Sequence, residues 1–229
     1  MRSKLPKIAL ALGLTLAAAH ASAALVNWTD WTRVSSSGAS GTLAGTAVTV
    51  TGTTNGVSQA ACGGGAINYW TQPNASSPAY TGGTVSNAPT ACEQVGLNTA
   101  TSITITFSSA IDTLYMALVS VGQPTVAVTY DFDRSFAIDS QGVGYWSFAN
   151  GGLPGSAVTG PGDTLTMREF HGMLRFGGGI TSLTFTTNPS ENWHAFTLGT
   201  LAVSAPGTLA LGGLGLMALG LAARRRAAR

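Results

Sequence analysis

The chain has 229 residues, of which 45% are hydrophobic and 9% are charged, against about 25% charged residues in an average soluble domain. This composition excludes disorder driven by charge, and the 30 glycines follow no three-residue period, which excludes a collagen-like chain. Most basic residues stand at the two ends, so the central region carries four arginines against nine acids, a net charge of −5. We therefore expect no nucleic-acid partner, since phosphate binding needs a dense basic surface.

The first predicted element is a secretory signal peptide over residues 1–23. A short basic stretch precedes an apolar run at residues 8–19, and Ala21-Ser22-Ala23 offers the small residues of a cleavage site. These are the three parts of such a signal. As a helix, the apolar run would span only about 18 Å, which is too short to cross a bilayer. We therefore predict Sec-type export and cleavage between Ala23 and Ala24.

Residues 24–203 are predicted to form one domain, because apolar and polar residues there alternate with the period of two that strands show. The alternation is clearest at residues 102–107, 126–132 and 183–186. Residues 114–121 are apolar on both faces, which is typical of a strand in the middle of a sheet. We predict an all-β fold, an antiparallel β-sandwich of jelly-roll type with eight to ten short strands. Between about residues 35 and 91, where large apolar residues are few, we expect long loops and two edge strands.

Two tryptophans, Trp28 and Trp31, lie just after the predicted cleavage site. A flat apolar ring with a polar edge suits stacking on a sugar, so both are candidates for glycan binding. The alternative is that they pack against the end of the sandwich, because the first residues of a domain are ordered only when they are held down. The same two interpretations apply to other aromatic residues of the domain: Trp70, Tyr80, Tyr145, Trp146 and Trp193.

The chain has two cysteines, Cys62 and Cys92. An exported chain meets an oxidising compartment, so we expect them to form a disulfide. In the chain-entropy description, closing a loop of about 30 residues stabilises a fold by about 3.5 kcal/mol. The alternatives are a catalytic thiol, which needs an activating histidine, and a zinc site, for which two cysteines are too few ligands.

Polar residues near position 170 are candidates for a site. Glu169, His171 and Arg175 share one face if the strand is unbroken there. An acid two residues from a histidine can bind a metal or form an acid/base pair. The alternative is an exposed row of ion pairs.

Asp131 and Asp133 also share a strand face, and with Asp139 they offer the oxygen ligands that calcium accepts. The spacing of a calcium loop is missing, so a solvated end of a strand is the alternative. His194 stands two residues before Phe196, so in a strand both side chains point to the same apolar face. We expect His194 to be a buried histidine of the core. We predict neither a resident metal nor a cofactor.

The last predicted element is a transmembrane helix at residues 207–223, which are uncharged and mostly Leu, Ala and Gly. Seventeen residues give a helix of about 25 Å, the lower limit for crossing a bilayer. Arg224, Arg225 and Arg226 follow at once, and such charges stay on the cytoplasmic side. The helix would therefore hold the domain outside the cytoplasm. The alternative is a buried helix of the core.

Three parts stand in order at the C-terminus: the motif Ser204-Ala205-Pro206-Gly207-Thr208, the apolar run and Arg224-Arg225-Arg226. This arrangement resembles the PEP-CTERM sorting signal of Gram-negative bacteria, in which a Val-Pro-Glu-Pro-like motif precedes the span. Pro206-Gly207-Thr208 matches closely, whereas Ser204-Ala205 replaces the expected Pro-Glu. The resemblance implies that residues 204–229 are a sorting segment, that an exosortase-like membrane protease is a partner, and that the protein reaches the cell surface or an exopolysaccharide matrix.

These features together predict a non-enzymatic protein of the cell surface or extracellular matrix, associated with exopolysaccharide or biofilm and able to bind glycan. One alternative is a secreted hydrolase of polysaccharides, whose candidate residues are Asp131, Asp133, Glu169, His171 and Glu191. It requires two carboxylates in one concave cleft, and the sequence has no nucleophile motif such as G-x-S-x-G or H-E-x-x-H. The other alternative is a structural matrix protein without a specific ligand.

Overall fold

The computed structural model describes residues 23–55, 67–71, 78–147, 151 and 153–202. The predicted signal peptide up to Ser22, Cys62 and the predicted sorting segment lie outside these residues. The residues of the sorting motif and basic tail that lie outside are Pro206, Gly207, Thr208, Arg224, Arg225 and Arg226. Where the structure describes the chain, it contains no helix with the length and hydropathy that a membrane span requires.

Twelve strands make up most of the described chain, which contains no α-helix. In chain order they are β1 Val26–Trp28, β2 Asp30–Ser35, β3 Gly38–Leu43, β4 Thr46–Thr51, β5 Val95–Leu97, β6 Thr101–Val121, β7 Val128–Phe132, β8 Ala137–Gln141, β9 Ser156–Thr159, β10 Thr164–Arg168, β11 Phe170–Asn188 and β12 His194–Leu201. All ladders between these strands are antiparallel. The prediction of an all-β, antiparallel fold is confirmed, and the jelly-roll type stays a prediction.

The two longest strands, β6 and β11, pair along most of their length and form a bent ribbon. Residues 101–106 of β6 pair with 182–187 of β11, and residues 113–121 pair with 170–177. Between these halves the register shifts on both sides of Ile180, which marks a bulge. Gly178 and Gly179, with φ of +95° and +61°, supply the left-handed backbone at this bend.

Each half of the ribbon is extended by other strands, so that one sheet forms two arms. The long arm has the order β2-β3-β4-β6-β11-β7-β10-β9 and uses the first half of β6 with the second half of β11. The short arm is built on the other two halves: β12 pairs with β6 and carries β1 and β5, and β8 pairs with β11. Residues 114–119 lie between β11 and β12, in agreement with their two apolar faces.

The two arms contribute apolar side chains to one main core. Phe185 on the long arm meets Phe196 on the short arm with ring centroids 5.7 Å apart. Phe132 on the long arm likewise meets Phe176 on the short arm at 5.2 Å. Burying one large apolar side chain stabilises a fold by about 1.5–3 kcal/mol. Contacts of this kind between the arms are therefore what holds the bent sheet closed.

The other face of the short arm is covered by loops, which create a second apolar cluster. Along the second half of β6, buried residues alternate between the main core and this second cluster. The covering side chains come from the loops around Trp70, Tyr80 and Trp146. Both faces of the short arm are thus buried, and polar side chains on the covered face are enclosed with the apolar ones.

Two expectations about the strands are wrong. The two longest strands have 21 and 19 residues, because the small polar residues that resemble a turn in the sequence form the bulge of the ribbon. The strands found between residues 35 and 91, β3 and β4, pair on both sides and are interior strands. Their few large apolar residues, Leu43, Val48 and Val50, all lie in the main core. These three side chains are enough to hold β3 and β4 in the interior of the sheet, although the two strands contain few apolar residues.

Candidate functional site

A cavity of about 360 Å³ lies at the end of the short arm where β6 stops and β11 starts. Its walls come from the end of β6, from the turns that lead into β11 and β12, and from the loops after β6 and β8. The lining residues are Ser120, Gln123, Pro124, Trp146, Glu169, Asn192 and Trp193. The volume falls within the roughly 300–1,000 Å³ of small-molecule sites.

Ser120 and Glu169 lie where the ribbon ends, and both have a left-handed backbone, with φ of +55° and +45°. Such a conformation costs about 1–3 kcal/mol in a residue with a side chain, and it is concentrated at functional sites. The Ser120 hydroxyl donates a hydrogen bond to Glu169 Oε2 over 3.4 Å. The Glu169 backbone N–H donates to the carbonyl oxygen of Gly122 over 3.2 Å. These bonds hold the carboxyl at the wall of the cavity.

The Glu169 carboxyl is nearly enclosed, with 5% of the residue exposed. Burial and the neighbouring charge of Glu191 raise its pKa to about 7, although the hydrogen bond from Ser120 acts in the opposite direction. Among the described residues, Glu169 has no ion-pair partner. The cavity therefore contains an acid that exchanges its proton near neutral pH.

A group of buried polar side chains lies near this acid. Glu191 Oε1 accepts a hydrogen bond from the Gly122 N–H over 2.8 Å and contacts Nδ1 of His194. The Tyr130 ring lies 5.7 Å from the His194 ring, and burial, then the charge of Glu191, raise the pKa of Tyr130 well above its usual value. His194 is fully buried, as predicted. The Glu191 side chain is wholly enclosed, so of this acidic pair only Glu169 lines the cavity.

The structure separates Glu169, His171 and Arg175, so the prediction that they form an exposed polar site is wrong. Glu169 lies outside β11 in a left-handed conformation, and His171 is fully buried. Only Arg175 is exposed, and it pairs with Asp139 over 3.7 Å. His171 and Arg175 do lie on the same face of β11, as the alternation predicted. The loops that cover the short arm bury this face at His171 but leave it exposed at Arg175.

The His171 imidazole connects the covering loops to the wall of the cavity. Its Nδ1 atom accepts a hydrogen bond from the Ser120 N–H over 3.3 Å, and the Tyr80 hydroxyl lies 3.4 Å from the same atom. Gly144 packs so closely that a Cβ there would lie 2.0 Å from the ring. Burial lowers the pKa of His171 to about 3. The ring is therefore neutral, and it positions the strand end that carries Ser120.

Four half-buried aromatic rings pack together at one side of the cavity. We call them the aromatic cluster: Tyr69, Tyr145, Trp146 and Trp193. Tyr69 stacks on Trp146 with centroids 4.8 Å apart and planes at 17°, and Trp146 meets Trp193 at 5.0 Å. Trp146 and Trp193 line the cavity. Sequence reasoning did not find this cluster, because its rings come from three separate loops and no spacing shows that they meet.

The first two tryptophans of the domain, which the sequence also suggested for glycan binding, lie elsewhere. Trp31 is fully buried in the main core, where its indole N–H donates to Thr197 Oγ1 over 3.1 Å and its backbone N–H donates to Glu93 Oε2 over 2.6 Å. Trp28 is half-buried against the second cluster, and neither ring lines the cavity. Of the two interpretations of Trp31, glycan binding and packing, the structure supports packing.

The calcium candidates are both exposed: Asp131 lies in β7, and Asp133 follows the end of that strand. Asp133 pairs with Arg134 over 3.6 Å. Asp139 accepts hydrogen bonds from the N–H and the hydroxyl of Thr84, at 3.0 and 2.7 Å, and so is engaged elsewhere. Within the described ranges, no three acids, histidines or cysteines are arranged to hold a metal ion.

The predicted cleavage site lies at the start of the described chain. The Ala24 N–H donates to the Thr84 carbonyl oxygen over 2.8 Å, and the Ala24 carbonyl oxygen accepts from the Ser86 N–H over 2.9 Å. Ala24 is thus part of the folded domain, and Ala23 precedes the first of these bonds. Cleavage between the two stays a prediction.

Of the two predicted disulfide partners, the structure describes one. Cys92 is disulfide-bonded and buried. Cys62, the other cysteine of the sequence, lies outside the described residues.

No family model matches the chain, and no curated protein or solved structure matches it either. The fold and the site show an all-β protein with one cavity of interest, which is lined by two tryptophans and one largely buried glutamate.

Proposed function

We propose that this chain is an exported protein of the cell surface or extracellular matrix, which binds polysaccharide in the cavity and does not catalyse a reaction. Its two ends support export and sorting: a signal peptide at residues 1–23 and a PEP-CTERM-like segment at residues 204–229. Sec-type machinery and an exosortase-like protease are the partners that these segments need. The domain between them has a net charge of −5 and few charged residues, and we propose for it a β-sandwich of jelly-roll type.

The observation that carries glycan binding is the composition of the cavity wall. Trp146 and Trp193 are half-buried, so their rings are held in place and still reach the cavity. Ser120, Gln123 and Asn192 offer a hydroxyl and two amides beside them. Aromatic rings suit the apolar faces of a sugar, and hydroxyls and amides bind its hydroxyl groups, as in other small-molecule sites.

Glycan binding is tested with the purified protein on a panel of neutral, cationic and acidic polysaccharides, followed by calorimetric titration of those that bind. We expect Trp193→Ala and Asn192→Ala to weaken binding at least tenfold. Trp28→Ala, which removes a half-buried tryptophan outside the cavity, is the matched control and should bind as the parent does. Thermal denaturation of each variant checks folding. Undiminished binding by folded cavity variants would remove the cavity from the proposal, and binding to no glycan would favour the structural matrix role.

Routing is tested separately, by fractionating the producing cells and measuring the mass of the protein in each fraction. We expect an extracellular or surface form that begins at Ala24 and lacks the basic tail. Intact protein with both ends in the cytoplasmic fraction contradicts export.

One observation favours a second function, a polysaccharide hydrolase. Glu169 lies in a cavity and its pKa is raised to about 7, which suits a general acid. A glycoside hydrolase needs a second carboxyl at the bond, but Glu191 is enclosed, and Asp131 and Asp133 are exposed within and just after β7. Release of reducing ends from a bound polysaccharide, abolished in Glu169→Gln, would establish hydrolysis and replace the non-enzymatic proposal.

A further inference from the structure

We propose that the cavity binds a protonated amino sugar, so that its ligand is a cationic glycan with free amino groups. The inference rests on the glycan binding proposed above and names the class of sugar. It depends on three features of the described residues: a carboxyl at the cavity wall, two tryptophans beside it, and little positive charge from the protein around it.

The first feature is the carboxyl of Glu169. Its Oε2 atom accepts the hydrogen bond from Ser120, and in the described part of the chain Oε1 has no hydrogen-bond donor. A carboxylate that is largely shielded from water gains from further donors or an opposite charge, since burial disfavours its ionised form. An ammonium group supplies both, because it carries a positive charge and three N–H donors.

The second feature is the pair of tryptophans at the same wall. The face of an indole ring attracts a cation that lies within about 6 Å of the ring centroid, and tryptophan is the strongest of the aromatic residues in this respect. Trp146 and Trp193 have centroids 5.0 Å apart with planes at 60°. Both rings line the cavity together with Glu169, so a cation bound there lies close to the tryptophans and to the carboxyl.

The third feature is the shortage of positive charge nearby. Residues 24–203 contain no lysine. Of the four arginines in this region, Arg134 and Arg175 pair with aspartates, and Arg33 lies on β2 in the long arm. The fourth, Arg168, is exposed and donates to the Pro124 carbonyl oxygen at the rim over 3.2 Å. His194 contacts the enclosed Glu191. The acid in the cavity is therefore left for a cation from the ligand.

These features distinguish among classes of sugar. A neutral sugar offers hydroxyl donors but no charge, so it satisfies the carboxyl only in part. A uronic acid or a sulfated sugar would bring a second negative charge to Glu169, which is repulsive. We therefore expect the order cationic, then neutral, then acidic glycan.

Binding of an ammonium group favours the ionised form of Glu169, and this makes the affinity depend on pH. The pKa of Glu169 in the free protein is raised to about 7, so the affinity should increase as the pH rises toward 7 and decrease again where the amine of the ligand loses its own proton. The titratable or charged groups on the elements around Glu169 are Glu191, His194, His171, Tyr80, Tyr130 and Arg168.

The test compares two oligosaccharides that differ in one group, a chitosan oligosaccharide with free amines and its fully N-acetylated counterpart. Calorimetric titration of the purified protein at several pH values should give at least tenfold tighter binding of the free-amine form near pH 7. Glu169→Gln keeps the shape and a hydrogen-bonding side chain but removes the charge, so it should abolish the preference. Asp133→Asn, which removes an exposed acid just after β7, is the matched control and should retain it.

Each outcome decides between the two proposals. Equal binding of both oligosaccharides, or a preference that survives in Glu169→Gln, overturns the amino-sugar inference and leaves glycan binding intact. Binding of choline without binding of either oligosaccharide also overturns it, because the cavity then recognises a cation that is not a sugar. Binding of no glycan at all overturns both proposals. Thermal denaturation of Glu169→Gln shows that a lost preference reflects the missing charge.

Discussion

At the scale of single residues, the short arm encloses two titratable side chains whose pKa values shift in opposite directions. Burial and the charge of Glu191 raise the pKa of Glu169 from 4.5 to about 7. Burial lowers the pKa of His171 from 6.5 to about 3. In both cases burial disfavours the charged form, and it does so most strongly for His171, which the loops over the short arm enclose. Neither shift could be inferred from the sequence, in which parity alone placed both residues on an open face.

The raised pKa of Glu169 makes stability depend on pH. Between pH 4.5 and about 7 the folded protein keeps a proton that the unfolded chain has lost, so the stabilisation is fully present below 4.5 and is lost as the pH rises through 7. His171 acts in the opposite sense: its contribution is present above 6.5 and is lost as the pH falls toward 3. We expect the free energy of unfolding of the parent, relative to that of Glu169→Gln, to fall by about 1 kcal/mol between pH 6 and pH 8.

Urea denaturation of both proteins across this pH range measures the difference. Asp133→Asn serves as the control and should follow the parent at every pH. Parallel curves for the parent and Glu169→Gln would show that the acid is not buried as described.

At the scale of the elements, the bend of the β6–β11 ribbon decides the architecture. β6 and β11 pair with each other on both sides of the bend. At the bend itself, bulges change which residues of the two strands lie opposite each other. Gly178 and Gly179 provide the left-handed backbone at the bulge, which residues with a side chain adopt only at a cost. The bend brings the two arms together, so the core contacts between Phe185 and Phe196 depend on it.

Adjacent glycines provide a matched test of this role. Gly177, Gly178 and Gly179 each have open space where a Cβ would lie, but only Gly178 and Gly179 have positive φ. We expect Gly178→Ala to reduce the free energy of unfolding by about 1–2 kcal/mol through backbone strain alone. Gly177→Ala should be neutral or slightly stabilising. Equal effects of the two substitutions in urea denaturation would contradict the left-handed bend.

At the scale of the whole molecule, the apolar faces of the sheet close its two arms on each other, and a second apolar cluster holds the loops on the short arm. The second apolar cluster joins the loops to the short arm through Trp70, Tyr80 and their neighbours. Cys92 lies in the same part of the chain, just before β5, and is disulfide-bonded. A covalent link there limits the freedom of the unfolded chain where the apolar cover is thin.

Reduction of the disulfide should therefore destabilise the protein by about 3.5 kcal/mol, the value for a closed loop of about 30 residues. Urea denaturation with and without a thiol reductant measures the loss. The double substitution of Cys62→Ser and Cys92→Ser should match the reduced parent and show no further effect of reductant. A parent that is equally stable in both conditions would contradict a structural role for the bond.

Much of the fold was determined by the sequence alone. The period of two predicted strands, and the residues at 102–107 and 183–186 alternate in the structure as they do in the sequence. The apolar faces of residues 114–119 indicated their central position, and the parity of His194 indicated its burial. These are local properties, because the side-chain direction of a strand follows from its backbone.

Only the tertiary structure decided the site. Glu169, Trp146 and Trp193 come from separate turns, and they meet because the ribbon ends where loops from both sides converge. The strand alternation showed which face His171 lies on, but a covering loop buries it. The sequence left open whether Trp31 binds or packs, and the short arm encloses it. Whether a face is covered depends on residues far away in the chain, so no local pattern of apolar and polar residues contains that information.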